Sequence, residues 1–340
     1  MIHILGAGVA GLMLAEALER RGQSWRIYEK EAEAGLYASG KNAGIIRTYE
    51  TDPVMRHFAE ASLAYYRREE PSFNGRGLIL RPWDVDYTVP PPETRQFSHG
   101  RFAGLFLPEN GTVEPGDLLR RLTHQNFHKG EIRYGVDAVP EVDGRRVVGM
   151  GTGIQIPFMA KDRLVCACGE GSIALATLFN RPLGLIAHRR TLYEFRNEAH
   201  YDGPVEWDEE TGVYYRPLGD RLLATGGEQI PVAGEAESEE SAMAAQSSGD
   251  EKMLAILGRE NPRLSSHLLV STRTCKRLMP LDNRPYAGRD GYYENLFWFT
   301  GLGGRGVSTA PALAAALAGL LCGEPAGREL AALSAGRVDV

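Results

Sequence analysis

Cysteine is scarce in this chain. Four residues, Cys166, Cys168, Cys275 and Cys322, are too few and too irregularly spaced for a disulfide framework. The Cys166-x-Cys168 pair has no second Cys or His pair at finger-like spacing. It lies in the apolar run Leu164-Val165-Cys166-Ala167-Cys168, which reads as a buried strand rather than a metal site. The eight histidines contain no His-Glu-x-x-His pattern, so no metal is expected. Long hydrophobic runs are also missing: the longest, Ala310 to Leu321, is too short to cross a bilayer. No signal-peptide pattern precedes the first apolar residues, and a cytoplasmic protein without a membrane span is expected. Positive charge is not in excess. Lysine and arginine number 38 against 44 acids, a net charge of −6, which gives no overall pull toward nucleic acid or an anionic membrane. Internal repeats are absent too.

Glycine, by contrast, is plentiful: 40 of 340 residues, where about 7% is usual. The glycines cluster near strand ends, where tight turns and close backbone approach to a ligand require them. The chain opens with a strand (Ile2–Leu5), a glycine turn, a helix (Gly8–Arg21) and a second strand (Trp25–Glu29). The helix carries Leu12, Ala15 and Leu18 on one face and stops at Gly22, so the segment is a βαβ unit. A small-residue loop follows, then a helical pattern over Val54–Glu69. Residues 78–110 hold short strand pieces and the break Pro90-Pro91-Pro92, and Pro115 sits in the first turn of another helix. Glu131–Asp137 alternates as a strand, Arg145–Gly151 and Gly153–Phe158 pair as a hairpin, and Arg163–Cys168 is a buried strand. From 184 to 235 the pattern shifts to alternating aromatic strands such as Thr191–Arg196 and Val213–Pro217. The acidic segment Glu235–Asp250 reads as a solvated loop or the start of a surface helix that continues through Met253–Leu257. After Ser271 the nucleotide-domain pattern of the first residues returns, with a strand at Asn295–Thr300, a glycine loop at Gly301–Gly306 and an alanine-rich helix at Thr309–Leu321. The expected fold class is α/β. A Rossmann-like dinucleotide domain would be built from residues 1–78, 112–183 and 271–335, with an inserted antiparallel-sheet (α+β) substrate domain from 79–111 and 184–270.

Two glycine motifs carry the chemistry. Gly6-Ala7-Gly8-Val9-Ala10-Gly11 lies between a strand and a helix, with Glu29 eighteen residues on at the end of the next strand. Gly6 permits the turn, Gly8 admits a pyrophosphate to the backbone, and Gly11 lets helix and strand pack closely. The N–H groups at Val9 and Ala10 open the helix and suit phosphate. Glu29 is set to accept hydrogen bonds from a ribose. Alone, this motif does not separate FAD from NAD. Gly301-Leu302-Gly303-Gly304-Arg305-Gly306 is a second glycine loop between a buried strand and a helix, whose first turn is Val307-Ser308-Thr309. A pair of anion-seeking helix N-termini suits a long flavin cofactor, one for the pyrophosphate and one for charge developing on the ring.

Three stretches together resemble the D-amino-acid-oxidase superfamily, which includes glycine and sarcosine oxidases. They are the first glycine motif through Glu29-Lys30; Ser39-Gly40-Lys41-Asn42-Ala43-Gly44; and Arg277-Leu-Met-Pro-Leu-Asp282-Asn-Arg-Pro285-Tyr-Ala-Gly288 with the Gly301–Pro311 loop and helix. The resemblance implies FAD as cofactor. It implies that Ser39, Gly40, Asn42, Ala43 and Gly44 lie along the ribityl chain and ring, that the backbone of Val136 meets the adenine, and that Cys168-Gly169 forms a turn against the cofactor. Gly303, Gly304, Arg305, Gly306, Val307 and Ser308 would face the ring. Arg277, eight residues before Pro285, matches the position at which glycine oxidases hold the substrate carboxylate, although an ion pair with Asp282 is an alternative role. Arg305 and Tyr215 are the further substrate-binding candidates. Cys275, ten residues before Pro285, stands where sarcosine oxidases carry a covalent flavin link, and Lys276 and Arg277 beside it would favour a thiolate. The chain departs from glycine oxidases in the second loop, where Gly304 occupies the place of an arginine. That loop is more similar to the oxidase domain of the bifunctional tRNA wobble-uridine-modifying enzyme, whereas Ser39–Gly44 is similar to L-2-hydroxyglutarate oxidases.

The expected function is therefore FAD-dependent oxidation of the C–N bond of a small amine or amino acid of the D-amino acid, glycine or sarcosine type, with oxygen or a quinone as electron acceptor. Oxidation of an L-2-hydroxy acid, demodification of carboxymethylaminomethyl-uridine in tRNA, and a non-catalytic dinucleotide-binding module are the alternatives.

Overall fold

The structure is a computed structural model. It describes residues 1–82, 93–100, 103–151, 153, 155–226, 230–232 and 239–337, and within 239–260 the side chains from 250 onward. The Pro90-Pro91-Pro92 break and residues 235–238 of the acidic segment lie outside these residues.

The centre is a six-stranded sheet in the order Tyr286–Arg289, Leu296–Thr300, Arg163–Cys166, Ile2–Leu5, Trp25–Tyr28, Gly130–Arg133. All neighbours are parallel except the Tyr286–Arg289 edge strand. The four inner strands are covered on both faces and largely buried rather than alternating, whereas the edge strand Gly130–Arg133 alternates. Ile4, Ile27, Val165 and Phe299 face a layer of helices (Val9–Arg20, Pro53–Glu69, Pro115–Thr123, Gly306–Leu321). Leu5, Leu164, Cys166 and Trp298 face the opposite way, onto Val147 and Met150 of a small three-stranded sheet and Ala176 of the helix Ser172–Leu178. The expected strand at Glu131–Asp137 ends at Arg133, because Gly135, at φ +68°, turns the chain back toward Glu31.

A nine-stranded sheet forms the second layer. Its path runs from Ile230–Pro231 through Leu185–Arg196, Arg221–Thr225, Tyr214–Leu218, Val205–Asp208, Leu78–Arg81 and Ala103–Leu107 to Thr94–Gln96, with Leu269–Pro280 also paired to Leu185–Arg196. Residues 271–280 thus differ from the sequence expectation. They extend the antiparallel sheet in register from Leu185↔Pro280 to Tyr193↔Thr272, and the return to the parallel sheet comes only at Tyr286. Helix Glu239–Glu260 covers one face, where Met253 and Leu257 meet Tyr193, Phe195, Tyr215 and Leu222. The opposite face, with Leu192, Tyr214 and Leu223, packs on Ala43.

Three of the four helices on this side of the parallel sheet are tied by a part-buried ionic knot. Arg121 Nη1 donates to Glu16 Oε1 at 2.8 Å, Nε to Glu70 Oε2 at 2.7 Å, and Nη2 to the Tyr65 hydroxyl at 2.5 Å. Burial alone would raise the Glu16 carboxyl, but hydrogen bonds from Tyr65 and Arg121 more than offset it and hold it below the ordinary carboxylate range. Removing the guanidinium would leave Glu70 without its cation and Glu16 with only the partly exposed Arg20 at 3.4 Å, so Arg121→Met is expected to cost about 3 kcal/mol in urea unfolding at neutral pH. A folded-state carboxyl depressed below its unfolded value stabilises above the unfolded value and loses that contribution as pH falls through the folded one. The gap between wild type and Arg121→Met should therefore narrow in acid.

Candidate active site

The first glycine loop is shaped by contacts that exclude side chains. Gly6, at φ +99°, would put a Cβ 2.7 Å from the Ala167 carbonyl, and a Cβ on Gly11 would lie 2.0 Å from the Gly6 carbonyl oxygen. Helix Val9–Arg20 therefore starts hard against the strand end. The Glu29 carboxylate accepts from Ala7 N at 2.7 Å and Glu31 N at 3.0 Å, one N–H per oxygen, and keeps a second lone pair on each for further donors. The Val136 amide donates to the Glu29 carbonyl at 2.8 Å, which sets Val136 beside it. Lys30 turns outward, its ammonium 5.3 Å from the Tyr37 ring centroid and 3.6 Å from Glu31, so its side chain is engaged away from the loop. Cys168 donates its thiol to the Leu5 carbonyl at 3.2 Å; burial, then the neighbouring Glu29 charge, pushes it up to about 12. Gly169, at φ +54°, starts a short helical turn, and its carbonyl accepts from the Thr300 hydroxyl at 3.4 Å.

The Ser39–Gly44 loop closes over this helix end. Ser39 Oγ accepts from Val9 N at 2.9 Å. Asn42 braces the loop, accepting from Gly44 N at 2.6 Å and donating to the Ser39 carbonyl, while Gly40 N donates to the Gly35 carbonyl at 2.8 Å. Ala43 then packs on Leu192, Tyr214 and Leu223 of the large sheet.

The second loop comes to the same place. An added Cβ on Gly306 would lie 3.5 Å from Val9 Cγ1, so the N-termini of helices Val9–Arg20 and Gly306–Leu321 adjoin. Pro311 lacks the N–H that would bond the Val307 carbonyl, and the Tyr66 hydroxyl supplies that donor at 2.7 Å. Ser308 Oγ donates to the Ile45 carbonyl at 3.1 Å and accepts from Arg47 N at 3.2 Å, stitching the loops together. A Cβ on Gly304, at φ +80°, would sit 2.5 Å from Cζ of Arg277. The guanidinium occupies the space that any side chain at 304 would need.

The candidate substrate residues separate sharply. Arg277 has neither an ion pair nor a hydrogen bond among the described residues, and Asp282 pairs instead with Arg337 at 2.8 Å. Arg305 is consumed: its Nε donates to Glu50 Oε2 at 3.0 Å and its Nη1 to the Asn283 carbonyl at 3.3 Å, which makes it a brace for the loop. Tyr215 is corrected outright. Strand alternation turns it to the helix-covered face, where its hydroxyl bonds the buried Glu206 and lies 2.9 Å from Ser98 Oγ; Tyr214 and Arg216 take the face toward Ala43. The thiolate expected at Cys275 is also not favoured. Lys276 points to the opposite face and pairs with Glu170 at 2.5 Å, and burial outweighs the pull of Arg277, Lys41 and Arg190, pushing the thiol up. Sequence reading missed Arg47, which pairs with Glu50 at 3.0 Å and with Glu209, 4.5 Å from the Trp207 ring centroid. Its one signal was an arginine directly after the apolar pair Ile45-Ile46.

Two adjoining helix N-termini and a carboxylate with free lone pairs at the end of the second strand fit a dinucleotide that carries a flavin. The profile of the FAD dependent oxidoreductase family (DAO) matches residues 1–80 and 79–320. The chain belongs to this family. FAD is its cofactor. The flavoprotein is 23% identical, over 95% of its length, to the tRNA 5-methylaminomethyl-2-thiouridine biosynthesis bifunctional protein MnmC of Pseudoalteromonas atlantica, and it covers 56% of that protein. It thus spans about half the length of the curated relatives it matches. Among solved structures it resembles glycine oxidase from Geobacillus kaustophilus, with a TM-score of 0.79 and 18% identity over 100% of this chain and 99% of that one. It also resembles iminodiacetate oxidase (IdaA) from Chelativorans sp. BNC1, with a TM-score of 0.78 and 17% identity over 98% of each chain. Those likenesses establish the fold. Among the described residues of the flavoprotein no helix is long and apolar enough to cross a membrane, and no group of three or more His, Cys, Asp or Glu is placed to hold a metal ion.

Two outcomes are expected for the cofactor. Glu29→Ala should weaken FAD by about 1.5–3 kcal/mol in fluorescence titration, the loss of charge-assisted hydrogen bonds to the ribose; unchanged affinity would remove Glu29 from the site. Because burial keeps Cys275 a thiol, acid precipitation should release the flavin into the supernatant, and flavin retained in the pellet would overturn that.

Proposed function

We propose that this flavoprotein oxidises the C–N bond of a small amine or amino acid that carries a carboxylate. One observation carries the reading: the Arg277 guanidinium, free of ion pairs among the described residues, lies flat against Gly304 in the turn that opens the second helix. FAD, when bound, supplies the acceptor for the two electrons and the hydrogen that leave the carbon next to nitrogen, and water then hydrolyses the resulting imine. Arg277 grips both carboxylate oxygens and fixes the reacting carbon in one orientation. Its charge also disfavours a protonated amine nearby, keeping the nitrogen lone pair free for the reaction. Leu192, Leu223 and Ala43 give the adjoining wall an apolar surface that excludes water.

A second reading is favoured by the alignment with the tRNA-modifying protein over 95% of this chain. The reacting group would then be a carboxymethylamine on a nucleoside, again a C–N bond beside a carboxylate. Steep salt dependence of tRNA binding would distinguish it.

Arg277→Lys keeps the charge and loses the bidentate fork. On whichever amine bleaches the flavin anaerobically, kcat/KM should fall by about 2–4 kcal/mol in transition-state terms, with the flavin spectrum unchanged. Wild-type kcat/KM in this variant would exclude the role.

A further inference from the structure

A cation is out of place at the start of a helix, yet Arg305 is the residue that opens Gly306–Leu321. The positive helix end repels it, and the first turn carries no acid to offset it. The guanidinium nevertheless stays over the glycine turn, with Nη1 3.7 Å from the point where a Cβ on Gly303 would lie. What holds it there is Glu50, from a segment far away in the sequence.

Glu50 is 5% exposed, and its two carboxylate oxygens are divided between two arginines. Oε2 accepts from Arg305 Nε at 3.0 Å, and Oε1 accepts from Arg47 Nη2 at 3.0 Å. Arg47 in turn pairs with Glu209, which follows the sheet strand Val205–Asp208. The row Arg305, Glu50, Arg47, Glu209 therefore alternates in sign and sums to zero. Burying a carboxylate carries a desolvation cost, and a neutral side chain at 305 would spare the helix end both the cation and its acid. The chain instead keeps a cation at the turn that the second glycine loop offers to the flavin ring, and cancels it. Arg277, without an ion pair among the described residues, lies against Gly304 in the same turn.

We propose that Glu50 is a positioning residue that acts through Arg305 to set the reduction potential of the bound flavin. A flavin gains negative charge on reduction, and an uncancelled cation beside it would stabilise that charge. By drawing Arg305 into a neutral row, Glu50 leaves the field at the ring to the helix end and Arg277. The inference concerns the cofactor and holds whichever substrate reduces it.

The test is the potential of FAD in the holoprotein, read by equilibration with a redox dye of known potential. Glu50→Gln leaves the charge of Arg305 uncancelled. It should shift the flavin–dye equilibrium at least tenfold toward reduced flavin, about 30 mV for a two-electron couple. Arg305→Gln leaves Glu50 and Glu209 sharing Arg47 and should shift the equilibrium at least tenfold the other way. Arg305→Lys keeps the pair and should stay within threefold of wild type. The double variant Glu50→Gln/Arg305→Gln restores the balance of charge, so it too should return to within threefold of wild type. Loosening of the loop alone would move both single variants in one direction and leave the double variant displaced at least as far. Either result overturns the proposal, as does an unchanged potential in either single variant. If one single variant no longer retains FAD, the other decides by the sign of its shift.

Discussion

The close approach of two helix N-termini is the constraint around which the rest of this molecule is arranged. Gly306 against Val9 allows two positive helix ends to share one region, and the contacts at Gly6 and Gly11 hold the first of them tight to its strand. Such an arrangement is unfavourable unless an anion or oriented acceptors face it. The groups nearby are accordingly acceptors: the Ser39 hydroxyl for Val9 N, the Glu29 carboxylate for Ala7 N, and the Ile45 backbone carbonyl for the Ser308 hydroxyl. Farther out, the same need for compensation recurs in the knot at Arg121, where two carboxylates and a tyrosine hold the helix layer behind the site.

The parallel half of the fold was legible because its signals are local. A strand, a glycine turn, a helix stopped at Gly22 and a strand ending in an acid fall within one short stretch, and the structure has the helix at Val9–Arg20 with Gly22 at φ +66°. The antiparallel half was less legible because its pairings are distant. Nothing near residues 271–280 states that they extend a strand beginning at Leu269 and pair with Leu185–Arg196. The run reads as a return to the nucleotide domain only because Arg277 and the residues after it resemble the loop that leads there.

The site itself was legible as a set of positions and not as a set of directions. Tyr215 and Arg216 are neighbours in an aromatic strand, and a strand places successive side chains on opposite faces. Which of the two faces Ala43 depends on the packing of Met253 and Leu257 against the other, and no pattern within Val213–Pro217 carries that. Arg305 fails for a related reason. Its sequence neighbours do not include Glu50, whose carboxylate binds both Arg305 and Arg47 and so turns two arginines near the site into struts.

The departure at Gly304 then has a physical explanation. A side chain at 304 and the guanidinium of Arg277 compete for the same volume, since a Cβ there would fall 2.5 Å from Cζ. With φ at +80° the backbone also disfavours any residue but glycine. Arg277, without an ion pair among the described residues, lies on the sheet strand, and the loop arginine next to Gly304, Arg305, is paired with Glu50. A cation fixed on a strand is held by the register of a twelve-residue pairing partner, so its direction is set by the sheet rather than by a mobile turn. Its neighbours are set with it. The same register brings His188, Arg190 and Cys275 into one row with Arg277.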